Sequence, residues 1–320
     1  REGFWSTLTD VLNASRAPTT AKKYNNAFAA WQLWCDTEKI SPLPANAYDV
    51  SRYFIYLFNN GAPFSRIESA FYGIKWKHDC SADCKENPSD SSFLHNVLQG
   101  LKRTLAKPVA KKDPMTPEIL KLIIAKYSDM NNLLDVRLCT MLLISYAGFL
   151  RHNELVNIRR CDLQLHSAYV NIYIGKSKTD IYRQGTWVLI AATNSSTCPV
   201  TFLNRYLILA DLMNDISDEN FLFRPVTYIS SENRHRLRPG QLSYSRCLDI
   251  FKSALSSVGV NPKRFGLHSL RAGGATAAAH TGVPDRLFKK HGRWRSDAAK
   301  DGYVHDSMEA KLSVSQNLGL

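Results

Sequence analysis

Gly266-Leu-His-Ser-Leu-Arg-Ala-Gly-Gly-Ala275 is the stretch on which the fold is decided. The pattern over 268–281 predicts a helix, and a helix puts His268 and Arg271, three residues apart, on one face. A His three residues before an Arg is common by chance. The pair gains meaning only from what stands around it.

The surroundings are those of a folded, basic protein. The chain has 320 residues, 44% hydrophobic and 11% aromatic, which is enough for two domains with real cores. No apolar run reaches the roughly 18 to 20 residues that cross a bilayer. No leader-like segment opens the chain, so a soluble intracellular protein is expected. With Arg as its first residue, a fragment or processed chain is also expected. The formal net charge is +13, and residues 1–110 hold only 13 of the 41 Lys and Arg against 10 of the 28 Asp and Glu. Most of the excess therefore lies from 111 onward, where it would attract a polyanion such as nucleic acid. Seven cysteines, at 35, 80, 84, 139, 161, 198 and 247, are odd in number and mostly isolated, which favours reduced thiols over a disulfide framework. His78, Cys80 and Cys84 are close together, but no second ligand pair stands at zinc-site spacing, so no structural metal is expected.

Residues 1–106 read as a small helical domain. Tyr24, Phe28, Trp31 and Trp34 fall at spacings of three and four on one stripe over Thr20–Cys35, with Thr19 or Thr20 as the N-cap. Further helices are expected over 49–58, 65–76 and 92–106. Residues 107–115, with three lysines and two prolines, read as a basic linker. Residues 116–320 read as a second domain, mainly α with a small antiparallel sheet. Thr116-Pro-Glu starts a helix, and 132–146 is apolar enough to be buried. Residues 168–174 and 186–191 alternate as strands, joined by the polar segment 175–185 that carries Lys176, Lys178 and Arg183. Helices are expected over 199–213, 244–257, 268–281 and 283–291.

Four features of this second domain occur in a telling order: Gly148-Phe-Leu-Arg151-His-Asn-Glu154-Leu at the start of a helix, Lys176-Ser-Lys178 in the hairpin, His268-Ser-Leu-Arg271, and Gly292-Arg-Trp294 nine residues ahead of Tyr303. Arg, hairpin Lys, His-x-x-Arg, His or Trp, then Tyr resembles the active-site signature of the tyrosine recombinases, the phage-integrase family. The resemblance extends over nearly the whole chain, with residues 1–106 similar to the family's core-binding domain and 116–320 to its catalytic domain. Glu154 matches the acidic residue that supports the site. Most relatives have Gly-His where this chain has Arg293-Trp294, but Trp is a known alternative there. His291, at a spacing of twelve, is out of place for that role. The Gly-Arg-Trp-x-Ser wording resembles eukaryotic mobile-element recombinases of the DIRS-like and Crypton groups.

The resemblance implies a DNA strand-exchange enzyme, and the residue types suit the chemistry. Attack at the phosphorus of a phosphodiester builds negative charge on the non-bridging oxygens, which Arg151 and Arg271 would meet with fork-like, charge-assisted hydrogen bonds. Tyr303 would be the nucleophile, leaving a 3′-phosphotyrosine that conserves the bond for religation. An ordinary tyrosine titrates at about 10, so His268 is implied as the proton acceptor. Lys178, with Lys176 as the alternative, would protonate the leaving 5′-oxygen, and the Trp294 indole would donate to the phosphate. Neither metal nor other cofactor is implied. The expected partners are double-stranded DNA and three further copies of the chain, a tetramer joined by exchange of 308–320, with no membrane. Two rival readings are a type IB topoisomerase-like enzyme and a domesticated, non-catalytic DNA-binding protein. A mobile-element origin would place the protein in the nucleus, a bacterial one in the cytoplasm.

Overall fold

Helices form wherever the aromatic and aliphatic stripes were strongest, and the computed structural model describes residues 2–108, 111–175, 177, 184–216 and 218–319, with side chains from residue 6 onward. The chain divides into two compact units, residues 1–110 and 111–320.

The first unit consists of α1 (Glu2–Ala14), α2 (Pro18–Glu38), α3 (Ala47–Asn59), α4 (Phe64–Asp79) and α5 (Ser92–Thr104). The α2 stripe is its spine. Phe28, Trp31 and Trp34 are buried, and the Trp31 ring lies 5.4 Å from Trp34 and 5.2 Å from Tyr53 of α3. The Trp31 indole N–H donates to the Pro42 carbonyl at 2.9 Å, so this ring is buried without an unpaired donor. The helix starts earlier than its threonines suggest. Ala17 holds the cap position and Pro18 the first helical one, where its missing N–H is not needed. His78 is also explained: Nδ1 donates to the Ile74 carbonyl, and Nε2 accepts from the Ala45 amide at 2.9 Å. Both ring nitrogens are thereby used in tying α4 to the loop before α3. Among the described residues, no group of three or more His, Cys, Asp or Glu side chains is placed to hold a metal.

The second unit begins on its own surface. The Asp113 amide donates to the Arg264 carbonyl, the Met115 amide to that of Ser269, and Met115 is buried in the core. Then follow α6 (Pro117–Lys126), capped by Thr116, and α7 (Leu133–Ala147), capped by Asn132 and enclosed for most of its length. After α8 (His152–Val156) come β1 (Leu163–Leu165), β2 (Tyr169–Ile174) and β3 (Thr186–Ala191), antiparallel in that order. In the register Ile172 faces Val188, and Val170, Ile172, Ile174, Val188 and Ile190 all point into the core. Next are α9 (Pro199–Leu209), the hairpin of β4 (Val226–Ile229) and β5 (Arg234–Leu237), and α10 (Tyr244–Ser257). The last stretch is α11 (His268–His280), α12 (Asp285–Gly292), α13 (Asp297–Asp301) and α14 (Met308–Gln316).

The mainly α architecture with small antiparallel sheets therefore stands as expected, with additions. The β4–β5 hairpin was missed because neither strand is buried; Arg234-His-Arg-Leu237 offers no apolar face to read. Helix α9 stops at Leu209, short of residue 213, where Asp211 takes a positive φ of 58° and the Leu212 amide returns to the Leu207 carbonyl. Helices α13 and α14 are short, capped by Ser296 and Ser307, and without a buried stripe. No described helix is long and apolar enough to cross a membrane.

Candidate active site

A single buried carboxylate organises the site. Helix α7 ends at Gly148, and Phe149 takes a left-handed φ of 47° before Arg151 caps α8. A bulky residue in that conformation costs about 1–2 kcal/mol. The cost is offset by burial of its ring against His291, Phe288 and Trp294, at 4.6, 5.9 and 6.0 Å. The turn also places Glu154 in the first turn of α8, its side chain 1% exposed. Glu154 Oε2 accepts from the Arg151 backbone N–H at 2.9 Å, and Oε1 from the Arg151 guanidinium at 2.7 Å. Oε2 also accepts from Arg293 Nη2 at 3.0 Å and lies 3.8 Å from Arg271 Nη1. Burial pushes the Glu154 carboxyl up, but Arg293, the Arg151 N–H and the other two guanidiniums outweigh this and hold it below the usual carboxylate range. Three guanidiniums thus share one carboxylate, so the site carries two positive charges in excess.

Arg271 reaches this position because α11 lies backbone-to-backbone against its neighbours. A Cβ on Gly273 would stand 2.0 Å from the Met115 carbonyl oxygen, and one on Gly274 2.1 Å from that of Tyr146. Only glycine permits either approach. The Arg271 side chain is wholly buried, with Nη1 donating to the Phe149 carbonyl and Nη2 to the Gly292 carbonyl at 2.6 Å. Its Nε has no hydrogen-bond partner among the described residues. The guanidinium carbon lies 4.8 Å from the Trp294 ring and 4.8 Å from the Tyr303 ring. Desolvation and then Arg151 pull its pKa down from the ordinary arginine value. Each terminal nitrogen thus already donates to a carbonyl, and Nε is a further donor available to an anion.

The segment after α12 closes the site. Trp294 is buried between Phe149, Phe288 and Arg271, yet its indole Nε1 is buried with no hydrogen-bond partner among the described residues. A buried donor without an acceptor is uncommon and costs about 1–3 kcal/mol. Tyr303 is half-buried, its ring 5.7 Å from that of Trp294. Thr276 of α11 holds the tyrosine's backbone, its hydroxyl accepting from the His305 amide at 3.1 Å and donating to the Tyr303 carbonyl at 3.4 Å. His291 points away from this chemistry: Nε2 donates to the Ala147 carbonyl at 2.8 Å, which pins α12 to the end of α7.

Of the six residues expected in the site, Arg151, Arg271, Trp294 and Tyr303 are brought together around Glu154. His268 is the first residue of α11 and is exposed. Lys178 and its alternative Lys176 lie outside the described residues. The residue that sequence reasoning passed over is Arg293. It is nearly as buried as Arg271, its side chain 6% exposed, and its guanidinium donates to the carbonyls of Gly148, Phe149 and His291 as well as to Glu154. The signal was present as the basic residue inside Gly292-Arg-Trp294.

The profile of the "Phage integrase family" matches residues 115–310. An integrase/recombinase XerD homolog of Selenomonas ruminantium is 26% identical over 295 residues, 92% of this chain and 83% of that protein. The crystal structure of the XerH site-specific recombinase bound to palindromic difH substrate, a post-cleavage complex, is similar at a TM-score of 0.59 and 15% identity, covering 93% of this chain and 77% of that one. A lambda integrase (75–356) dimer bound to a COC′ core site is similar at 0.52 and 15% identity, covering 95% and 96%. These structural likenesses show a shared fold.

Proposed function

The chain belongs to the phage integrase family of tyrosine recombinases, which cut and rejoin DNA through a phosphotyrosine, and from that premise we propose that Tyr303 is its nucleophile and Arg151, Arg271 and Trp294 its phosphate site. The observation that carries this reading is the convergence of a half-buried tyrosine, a buried indole N–H without an acceptor among the described residues and an excess of positive charge around one carboxylate. A site rich in donors and poor in acceptors suits an anion. The orphan Trp294 Nε1 and Arg271 Nε are the donors a non-bridging phosphate oxygen would satisfy. Double-stranded DNA is the substrate that supplies such a phosphate, and the basic second unit suits its backbone.

In the reaction, the Tyr303 hydroxyl attacks phosphorus as its proton passes to His268, at the start of α11. The P–O5′ bond breaks, and Lys178 protonates the departing 5′-oxygen. A 3′-phosphotyrosine remains, and attack by a 5′-hydroxyl from another strand reverses these steps to rejoin the DNA. Glu154 holds Arg151 from below, at both its backbone and its guanidinium. Four copies would bring two DNA sites together, each lending residues 308–320 to its neighbour. Helix α14 supports this by leaving Met308, Leu312 and Val314 exposed.

The reading is tested with a nicked suicide duplex, from which the 5′-hydroxyl fragment diffuses away after cleavage. The chain should accumulate a denaturant-resistant protein–DNA adduct, and Tyr303→Phe should bind the duplex without forming one. Adduct formation by Tyr303→Phe at the normal rate would remove Tyr303 from its role.

A further inference from the structure

Three observations single out Arg293. Its backbone has a left-handed φ of 56°, a conformation that glycine adopts freely and other residues pay for in strain. Its guanidinium is buried, and Nη1 and Nη2 reach three carbonyls and Glu154 Oε2. It directly precedes Trp294 and directly follows Gly292, whose carbonyl receives Arg271. The left-handed conformation makes Arg293 the C-cap of α12, a place glycine would fill without strain, and here it carries a buried guanidinium engaged at both terminal nitrogens instead.

The electrostatics identify a task for Arg293. Glu154 Oε2 stands 3.0 Å from Arg293 but 3.8 Å from Arg271. A buried carboxylate attracts whichever guanidinium can reach it. With Arg293 at Oε2 and Arg151 at Oε1, both oxygens are occupied, and Arg271 stays with the Phe149 and Gly292 carbonyls beneath the Tyr303 ring. Without Arg293, Oε2 would keep only the Arg151 backbone N–H and would draw Arg271 in, taking it from the phosphate. Arg293 also supplies one of the two excess positive charges. A phosphodiester carries one negative charge, and attack by a phenoxide brings a second.

We propose that Arg293 is a positioning residue for DNA cleavage: it neutralises Glu154 so that Arg271 remains available to the scissile phosphate, and it clamps the Gly148–Phe149 turn to the end of α12 so that Trp294 is correctly set. The proposal rests on the phosphate-site reading above. Arg293 acts through Glu154, Arg271 and Trp294, and no contact with DNA is assigned to it.

The test uses the nicked suicide duplex, with DNA binding and thermal unfolding measured on the same samples. Arg293→Met keeps the aliphatic stem and removes the charge. It should bind DNA normally and form adduct more slowly by about 100-fold, the usual scale for losing one preorganised electrostatic contact. Adding Glu154→Gln should then restore at least about tenfold of that loss, because the neutral amide no longer draws Arg271 in while its oxygen still accepts from Arg151; a purely structural clamp would give no such rescue. Arg293→Lys retains the charge and should lose less than about tenfold. Adduct formation by Arg293→Met within threefold of the parent overturns the proposal. So does a loss that Glu154→Gln leaves unchanged. Should Arg293→Met fail to fold, a folded Arg293→Lys as inactive as Tyr303→Phe overturns it, and one within about tenfold of the parent supports it. The parent chain on the same duplex is the control, since absence of its adduct refutes the phosphate-site reading rather than the role of Arg293.

Discussion

Trp294→Phe should separate stability from catalysis, because the two respond to different parts of the same ring. The indole N–H is buried without an acceptor among the described residues, so its removal lifts a penalty of about 1–3 kcal/mol. The smaller ring loses part of its packing on Phe149 and Phe288 and weakens the stacked contact with Arg271, at 6.0, 5.1 and 4.8 Å, which together costs about 1–2 kcal/mol. The net change in unfolding free energy then lies between about −1 and +2 kcal/mol. Cleavage should fall far more. A donor aimed at developing charge on phosphate is worth about 100- to 1,000-fold in rate. Urea unfolding gives the first quantity, and single-turnover adduct formation on the suicide duplex gives the second. Trp294→His, which offers an N–H from a smaller ring, should recover part of the rate that Phe loses. If Trp294→Phe cleaves within threefold of the parent, or loses more than about 3 kcal/mol of stability, the indole is packing and its N–H has no catalytic part.

Other consequences follow from the same geometry. Gly274→Ala should destabilise the chain by about 1–3 kcal/mol, although alanine is the better helix former by about 0.5–1 kcal/mol, because its Cβ would stand 2.1 Å from the Tyr146 carbonyl. A denaturation midpoint equal to or above that of the parent would show that α11 can move away without cost. Mild acid should weaken the fold through its buried histidines. His78, His152 and His291 are each held below the ordinary histidine pKa, chiefly by burial, and so stay neutral in the folded chain. The unfolded chain takes up those protons first, so stability is full above about 6.5 and falls as the pH drops below it. Urea midpoints at pH 8 and 5.5 should show the decline, and a midpoint that holds or rises at pH 5.5 would contradict it. His291→Asn, which keeps an amide donor for the Ala147 carbonyl, should make that decline shallower.

Much of this was legible from residue order and periodicity. The α2 stripe, the β2–β3 alternation and the capped start at Thr116 are strong local signals whose structures formed where they pointed. Of the ordered set Arg151, His268-x-x-Arg271, Trp294 and Tyr303, chosen because phosphoryl transfer suits those residue types, four members meet around Glu154. What sequence does not carry is which donors become buried. Nothing in Ala-Gly-Gly-Ala states that α11 will approach the Met115 and Tyr146 carbonyls, and that approach is what encloses Arg271. Arg293 was hidden for a similar reason. Its partners are carbonyls and a carboxylate some 140 residues earlier, joined only when α12 meets the α7–α8 turn. The β4–β5 hairpin left only a weak trace because none of its residues is fully buried, Val226 and Leu237 packing partly against the core.

The central claim is that Tyr303 becomes covalently joined to DNA at a phosphate gathered by Arg151 and Arg271. The most direct measurement is mass-spectrometric mapping of the trapped complex after nuclease and protease digestion. A nucleotide phosphate on the oxygen of Tyr303 is the predicted result, with the DNA's 5′ side released as a free hydroxyl. The same mass carried by a peptide containing any other tyrosine, or by a serine, would contradict it.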